Sequence, residues 1–264
     1  MKKTTLVDGT RIYCIAPTEG QMLYEHITGY LEHGSISVKD GDTIVDVGAN
    51  IGVLGIKLSN MFNNISILSF EPLPETFNVL KKNASLTQNK QFKVFQWGIS
   101  DKNEVLDFTY YPNSPAMSTS NPDIWDSDKD LLDALEGNLE NAPSNWWWAK
   151  YIPKILYPYI VKRLRKNPKI ISCQLKSLSQ SIQDCKIDKI NLLKIDCEGN
   201  ELKVLNGIKD PDWDIIDQIV VEVHDIDGSL DYVKKLLNAK SYKVDVIKEP
   251  SMQKTSLYNV YAYR

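Results

Sequence analysis

The chain has 264 residues, 42% of them hydrophobic and 25% charged. That is the make-up of an ordinary globular domain and excludes a disordered chain. Thirty-one basic against 34 acidic residues leave a net charge of -3, which argues against wholesale binding to nucleic acid.

The N-terminal 41 residues read as a hairpin followed by a helix. Thr5-Leu6-Val7 and the stretch 11–15 flank Asp8-Gly9, a tight-turn dipeptide. Residues 17–34 carry Met22, Leu23, Ile27, Tyr30 and Leu31 at helical spacing. A regular alternation then begins: strand 43–47, helix 51–62, strand 65–70, helix 75–87, strand 92–97. Such spacing indicates βαβ units in a parallel sheet. Residues 105–110 read as an added strand.

Segment 112–168 is the least regular. Its first half is acidic (Asp123, Asp126, Asp128, Asp130, Asp133, Glu136, Glu140). Its second half holds no acid between Asn141 and Lys169. That half carries Trp146-Trp147-Trp148 and the basic residues Lys150, Lys154, Lys162, Arg163, Arg165 and Lys166. Pro153 and Pro158 should interrupt any long helix there. Patterning resumes with strand 170–175, helix 179–185, strand 190–195, helix 201–206, strand 215–223 and helix 230–237. Strands 242–247 and 258–263, joined by a polar loop, should pair antiparallel.

Lys2 and Lys3 precede no apolar stretch, and no run approaches the roughly 18 apolar residues of a membrane span. The four cysteines (Cys14, Cys173, Cys185, Cys197) show no C-x-x-C spacing. The expectation is a single cytoplasmic domain over residues 1–264, with no secretory leader, transmembrane segment or zinc site.

The sharpest local feature is Asp46-Val47-Gly48-Ala49-Asn50-Ile51-Gly52, where a strand hands over to a helix. Glycines let a ligand approach the backbone, and the free N–H groups of a helix start suit an anionic group. The glycines bracket three residues, which is not the dinucleotide G-x-G-x-x-G spacing. Glu71, about 20 residues further on at the tip of the next strand, stands where an acid binds ribose hydroxyls. Trp97-Gly98-Ile99-Ser100-Asp101 would frame the same crevice. Asp196, Cys197 and Glu198 follow another central strand, where open α/β sheets bind ligands. Glu222 and His224, two apart in a strand, should share a face. There His224 is a candidate general base oriented by Glu222. Glu198 is a third candidate, as an orienting group or, with Asp196 and His224, around a divalent cation; capping of the following helix explains these acids equally well. His26 and His33 read as structural histidines.

The set DVGANIG, FEP, KIDCEGNE and VVEVHD resembles the FkbM family of S-adenosylmethionine-dependent methyltransferases. The resemblance implies an α/β fold: a doubly wound, seven-stranded, mostly parallel sheet with an antiparallel last strand. To this are added the N-terminal hairpin and helix and the inserted, lid-like aromatic and basic segment 112–168. It further implies that Asp46, Gly48, Ala49, Asn50 and Gly52 hold the methionine end of the cofactor. Glu71 would take the ribose, Ile99 and Ser100 flank adenine, and Asp196 face the amino group. The implied activity is O-methylation of a hydroxyl on a small molecule, sugar or polyketide-type metabolite. The six basic residues in the second half of segment 112–168 would suit an acidic partner, such as a phosphopantetheine carrier domain bearing the acceptor, or anionic lipid. Two other readings stand beside it. One is a catalytically silent module that binds cofactor or docks a partner through the tryptophan-rich segment. The other is a nicotinamide-dependent oxidoreductase, which the glycine spacing disfavours.

Overall fold

A computed structural model describes residues 1–125, 128–142 and 146–264. Asp126, one of the acids noted in the insertion, lies outside the described residues.

The N-terminal hairpin pairs β1 (Lys2–Thr5) with β2 (Arg11–Cys14). Its first strand starts earlier than the sequence pattern suggests. The Leu6 N–H donates to the Thr10 carbonyl at 2.8 Å, so residues 6–10 form the loop. Leu6 is apolar because its side chain is buried in the core.

Seven strands form the central sheet: β3 (Thr43–Val47), β4 (Ser66–Phe70), β5 (Phe92–Phe95), β9 (Ile190–Ile195), β10 (Ile216–His224), β11 (Lys243–Ile247) and β12 (Leu257–Tyr263). Their order is β11-β12-β10-β9-β3-β4-β5. β12 runs antiparallel to both its neighbours, and the remaining pairs are parallel. The expected topology is present, including the antiparallel last strand.

Both faces of the sheet are covered, which is why its inner strands read as unbroken apolar runs. Successive residues point to opposite faces. Ile44, Ile67, Leu192 and Val220 pack under α1 (Pro17–Glu32), α2 (Val53–Met61) and α3 (Pro74–Ala84). Val45, Leu68, Leu193 and Ile219 pack under α6 (Leu178–Cys185), α7 (Glu201–Asn206) and α9 (Ser229–Ala239). Proline opens α1 and α3, where its missing N–H costs nothing.

Strand register decides what gathers at the carboxyl rim. Val47 pairs with Phe70 and with Ile195. Gly48, Glu71 and Asp196 therefore leave the sheet side by side. Ile195 pairs with Val221, so β10 runs three residues past the end of β9 and carries Glu222 and His224 beyond the rim.

A second, three-stranded sheet departs from the sequence reading. The third predicted strand ends at Phe95, and Gly98–Ser100 forms a separate strand, β6, in place of a turn. β6 pairs parallel with β8 (Lys169–Ser177), which pairs antiparallel with β7 (Glu104–Tyr110). Gly98 permits this close crossing: a Cβ there would come within 3.2 Å of Leu175 and 3.3 Å of Pro72. Between β7 and β8 in the chain lies the insertion, with α4 (Asp128–Glu140) and α5 (Tyr157–Leu164). Pro153 precedes a short 3-10 turn and Pro158 opens α5, so the prolines do end and start helices here. A one-turn helix, α8 (Asp210–Trp213), precedes β10.

Candidate active site

The loop after β3 is shaped by close approach. Gly48 has a left-handed backbone (φ 72). A Cβ on it would lie 1.7 Å from the Asp196 carbonyl oxygen, so only glycine fits between the two rim loops. The Gly48 and Ala49 N–H groups donate to the Phe70 carbonyl at 3.1 and 3.0 Å. Gly52 (φ 84) starts α2 without a side-chain cap, leaving the first helical N–H groups available at Val53 and Leu54. A Cβ on Gly52 would meet Leu80 at 2.5 Å. Its role is to seat α2 against α3.

Glu71 is buried and holds two loops at once. One carboxylate oxygen accepts from the Asn50 N–H and the other from the Leu73 N–H, both at 3.0 Å. Burial pushes its pKa up to about 8, against those two backbone bonds and the Lys194 charge, which act the other way. Each oxygen keeps a free lone-pair direction, because a carboxylate accepts about four bonds.

Lys194 is a site residue absent from the sequence reading. It pairs in register with Asp46 across β3 and β9. Its ammonium lies 3.2 Å from Asp46 Oδ1 and 3.4 Å from Asp196 Oδ2, and donates to the Gly48 carbonyl at 2.8 Å. Burial works against the charge, but the carboxylates of Asp196 and Asp46 outweigh it and hold the pKa above that of an ordinary lysine. The clue was available: a lysine inside a largely apolar buried strand needs a charged partner.

Beyond the rim, His224 is buried with Nε2 3.6 Å from Glu198 Oε2 and Nδ1 3.7 Å from Glu201 Oε1. Burial opposes its charge. Glu201, Glu198 and Glu222 overcome this and push the pKa up to about 10. His224 is thus an imidazolium near neutral pH. That runs against the general-base role expected of it, since a protonated imidazole has no lone pair to take a proton. Glu198 sits on a left-handed backbone (φ 51). Burial raises its pKa well above the carboxylate range, against the pull of His224.

Glu222 shares the face of His224 but also reaches α1. His26 Nε2 lies 2.8 Å and the Tyr30 hydroxyl 3.1 Å from its Oε2. His26 also lies 3.1 Å from Glu249. Burial opposes the charge on His26, but Glu222 and Glu249 raise its pKa well above the usual range. His26, read from sequence as merely structural, therefore ties α1 to the site. Oxygens of Asp196, Glu198 and Glu222 lie within 4.8 Å of one another. Glu222 takes the place that the sequence reading gave to His224 in such a cluster.

The loops after β3, β4 and β9 border a cleft that is partly open to solvent. Its wall includes Asp46, Gly48, Ala49, Asn50, Glu71, Ile99, Lys194, Asp196 and Glu198. Among the described residues, Gly52, Ser100, Glu222 and His224 are not part of that wall. Ser100 is buried behind it, its hydroxyl donating to Asp101 and Glu104. Trp97 also turns away and donates to Ser181 at 3.1 Å. An apolar end is built by Leu73, Phe108 and Leu175, which pack together. Leu23 and Ile27 of α1 and Pro115, Ala116 and Ser118 of the insertion also line the cleft. The insertion also braces the rim: Thr119 donates to the Glu198 carbonyl, and Ile124 packs where a Cβ on Gly199 would fall. The tryptophans 146–148 are not among the described wall residues.

Residues 46–244 match the sequence profile of the Methyltransferase FkbM domain. The chain is 33% identical over 262 residues to 31-O-demethyl-FK506 methyltransferase FkbM of Streptomyces tacrolimicus, covering 98% of this chain and 95% of that protein. It is 27% identical to Methyltransferase 1 of Beauveria bassiana, covering 93% and 91%. In fold it is similar to the crystal structure of an FkbM methyltransferase from Methylobacillus flagellatus, with a TM-score of 0.55 at 13% identity, over 92% of this chain and 51% of that one. Motifs, rim geometry and the profile match across most of the chain agree: this chain belongs to the FkbM methyltransferase family.

Proposed function

We propose that the chain transfers a methyl group from S-adenosylmethionine to a hydroxyl of a small-molecule acceptor. The observation that carries this reading is the alignment of Gly48, Glu71 and Asp196 on one rim, with open space before them. The residues present fit the donor. The Gly48 cradle leaves no room for a Cβ, Glu71 has spare lone pairs for two ribose hydroxyls, and Asp46 and Asp196 offer negative charge to an ammonium. The apolar end at Leu73, Phe108 and Leu175 suits a flat adenine ring, beside Ile99. When bound, the donor supplies an electrophilic methyl for in-line displacement by an oxygen nucleophile.

The remaining work falls to this chain's own groups. Glu198 lines the cleft, and its raised proton affinity suits it to take the proton of an acceptor hydroxyl. His224, charged and 3.6 Å away, orients that carboxylate as a positioning residue. Leu23, Ile27 and Pro115 exclude water from the reacting pair. The Streptomyces tacrolimicus relative is named for a 31-O-demethyl acceptor, which supports a hydroxyl as the accepting group here.

Titration calorimetry with S-adenosylhomocysteine, beside NAD, tests the donor site. Binding of the first, its loss in Glu71→Ala, and no heat from NAD are the expected results. Failure of S-adenosylhomocysteine to bind would remove the donor assignment. Incubating an extract with isotopically labelled S-adenosylmethionine, followed by mass spectrometry, then identifies the acceptor and the methylated atom.

A further inference from the structure

We infer that the exposed surface formed by residues 147–166 docks on an anionic lipid bilayer. Trp147, Tyr151, Ile155 and Tyr159 are 66%, 68%, 86% and 67% exposed, far beyond what scattered surface apolars need. They fall within one short piece of chain folded into two 3-10 turns and the start of α5. Trp147 and Tyr151 touch, ring centroid to ring centroid at 6.2 Å. On α5, Tyr157 and Val161 face inward. Tyr159, Lys162 and Arg163 fall on the opposite, exposed side.

Charge selects the occupant. From Asn141 to Lys169 there is no acid. Lys154 is held by Glu136 and thereby pins the loop to α4. Lys150, Lys162, Arg163 and Lys166 remain exposed around the aromatic tips. Amphipathic aromatic rings at headgroup depth, ringed by lysine and arginine, are the make-up of a surface lying on anionic lipid. No described helix is long and apolar enough to cross a membrane, so the contact is interfacial. With a whole-chain net charge of -3, the attraction is local and should be screened by salt.

Sedimentation with sucrose-loaded vesicles tests this on the whole chain. Phosphatidylcholine vesicles are compared with mixed phosphatidylcholine and phosphatidylglycerol vesicles, at low and high salt. The chain should pellet with the anionic vesicles at low salt, with a blue shift of tryptophan emission, and should release at high salt. The triple variant Trp147→Ala, Tyr151→Ala, Ile155→Ser should weaken partitioning by about tenfold or more. So should Lys162→Glu with Arg163→Glu, while far-UV dichroism and the melting temperature stay unchanged. No pelleting, pelleting independent of lipid charge, or wild-type binding by both variants would overturn the inference. So would a patch-dependent dimer in ultracentrifugation, or capture of an acidic phosphopantetheine carrier domain with no vesicle binding.

Discussion

Lys194 and Asp46 are direct register partners on adjacent strands, and their side chains meet 3.2 Å apart at the floor of the cleft. Asp196 lies 3.4 Å from the same ammonium. One buried cation therefore sets the charge seen by anything that enters. Lys194→Met leaves two acids together with no counter-ion. Breaking a buried pair costs about 3–5 kcal/mol. Urea unfolding should show a lower midpoint at unchanged slope. Asp46→Asn added to Lys194→Met should recover part of the loss, the signature of direct coupling. A wild-type midpoint for Lys194→Met would remove the lysine from this role.

Glu71, in the ribose-holding role proposed for it, should make donor binding depend on pH. Its pKa is raised to about 8, so it is largely neutral at pH 6 and ionised at pH 9. Only the carboxylate accepts hydrogen bonds from both ribose hydroxyls without surrendering a lone pair to its own proton. S-adenosylhomocysteine should bind more tightly as pH rises through 8, by about tenfold. Glu71→Gln should bind weakly and flatten the profile. Stability moves the other way. A carboxyl group with a raised folded pKa stabilises fully below its unfolded value of 4.5 and loses that contribution as pH rises to about 8. Titration calorimetry and thermal melts across this range read the two opposed slopes.

The frame of the molecule was legible because its inner strands are buried on both faces. Runs such as Ile190-Asn191-Leu192-Leu193-Lys194-Ile195 leave little choice but a strand. The glycine loop and Glu71 were legible because they follow those strands at the rim. Lys194 was not, because a charge inside a run reads as an exception until its partners are known, and those partners lie on another strand and beyond the rim. β6 has three residues, too few for any period to show. His26 was passed over because its two carboxylates, Glu222 and Glu249, lie about two hundred residues away in the chain. The charge on His224 was hidden likewise: Glu198 and Glu201 reach it only through the loop after β9.

Gly48 tolerates no side chain. Gly48→Ala must place a methyl group 1.7 Å from the Asp196 carbonyl on a left-handed backbone. The left-handed conformation alone costs about 1–2 kcal/mol for an L-residue, and the clash forces the two rim loops apart. The variant should lose measurable S-adenosylhomocysteine binding and melt at a lower temperature. Gly9→Ala, also left-handed but with nothing within 4 Å of the added Cβ, is the control for backbone strain and should leave binding intact.

Glu198 and His224 should separate kinetically. Glu198→Gln keeps shape but removes the proton acceptor, and loss of a general base slows turnover by about 10²–10⁴-fold, with S-adenosylhomocysteine affinity unchanged. His224→Gln keeps a hydrogen-bonding side chain but removes the cation that pulls down the proton affinity of Glu198. Its rate should fall less and recover as pH rises, because Glu198 then needs a higher pH to lose its proton. The stability that the imidazolium contributes is fully present below pH 6.5 and is lost as pH rises through about 10. Wild-type melts should therefore decline across that window, and His224→Gln melts should decline less. If Glu198→Gln turns over at the wild-type rate, the proton leaves by another route.

Glu19 fastens the cleft's outer wall. Its carboxylate on α1 accepts from the Ala116 N–H at 2.7 Å, joining the helix that carries Leu23 and Ile27 to the turn that carries Pro115 and Ser118. Burial raises its pKa to about 7, partly offset by that backbone bond. Glu19→Ala leaves the Ala116 donor without its partner and loosens the wall without touching Gly48, Glu71 or Lys194. Hydrogen exchange should quicken at residues 115–118 and in the first turn of α1. S-adenosylhomocysteine affinity should fall only a few-fold, because the donor's polar anchors are intact, while turnover falls further as water enters beside the reacting groups. Equal losses in affinity and turnover would instead assign Glu19 to donor binding itself.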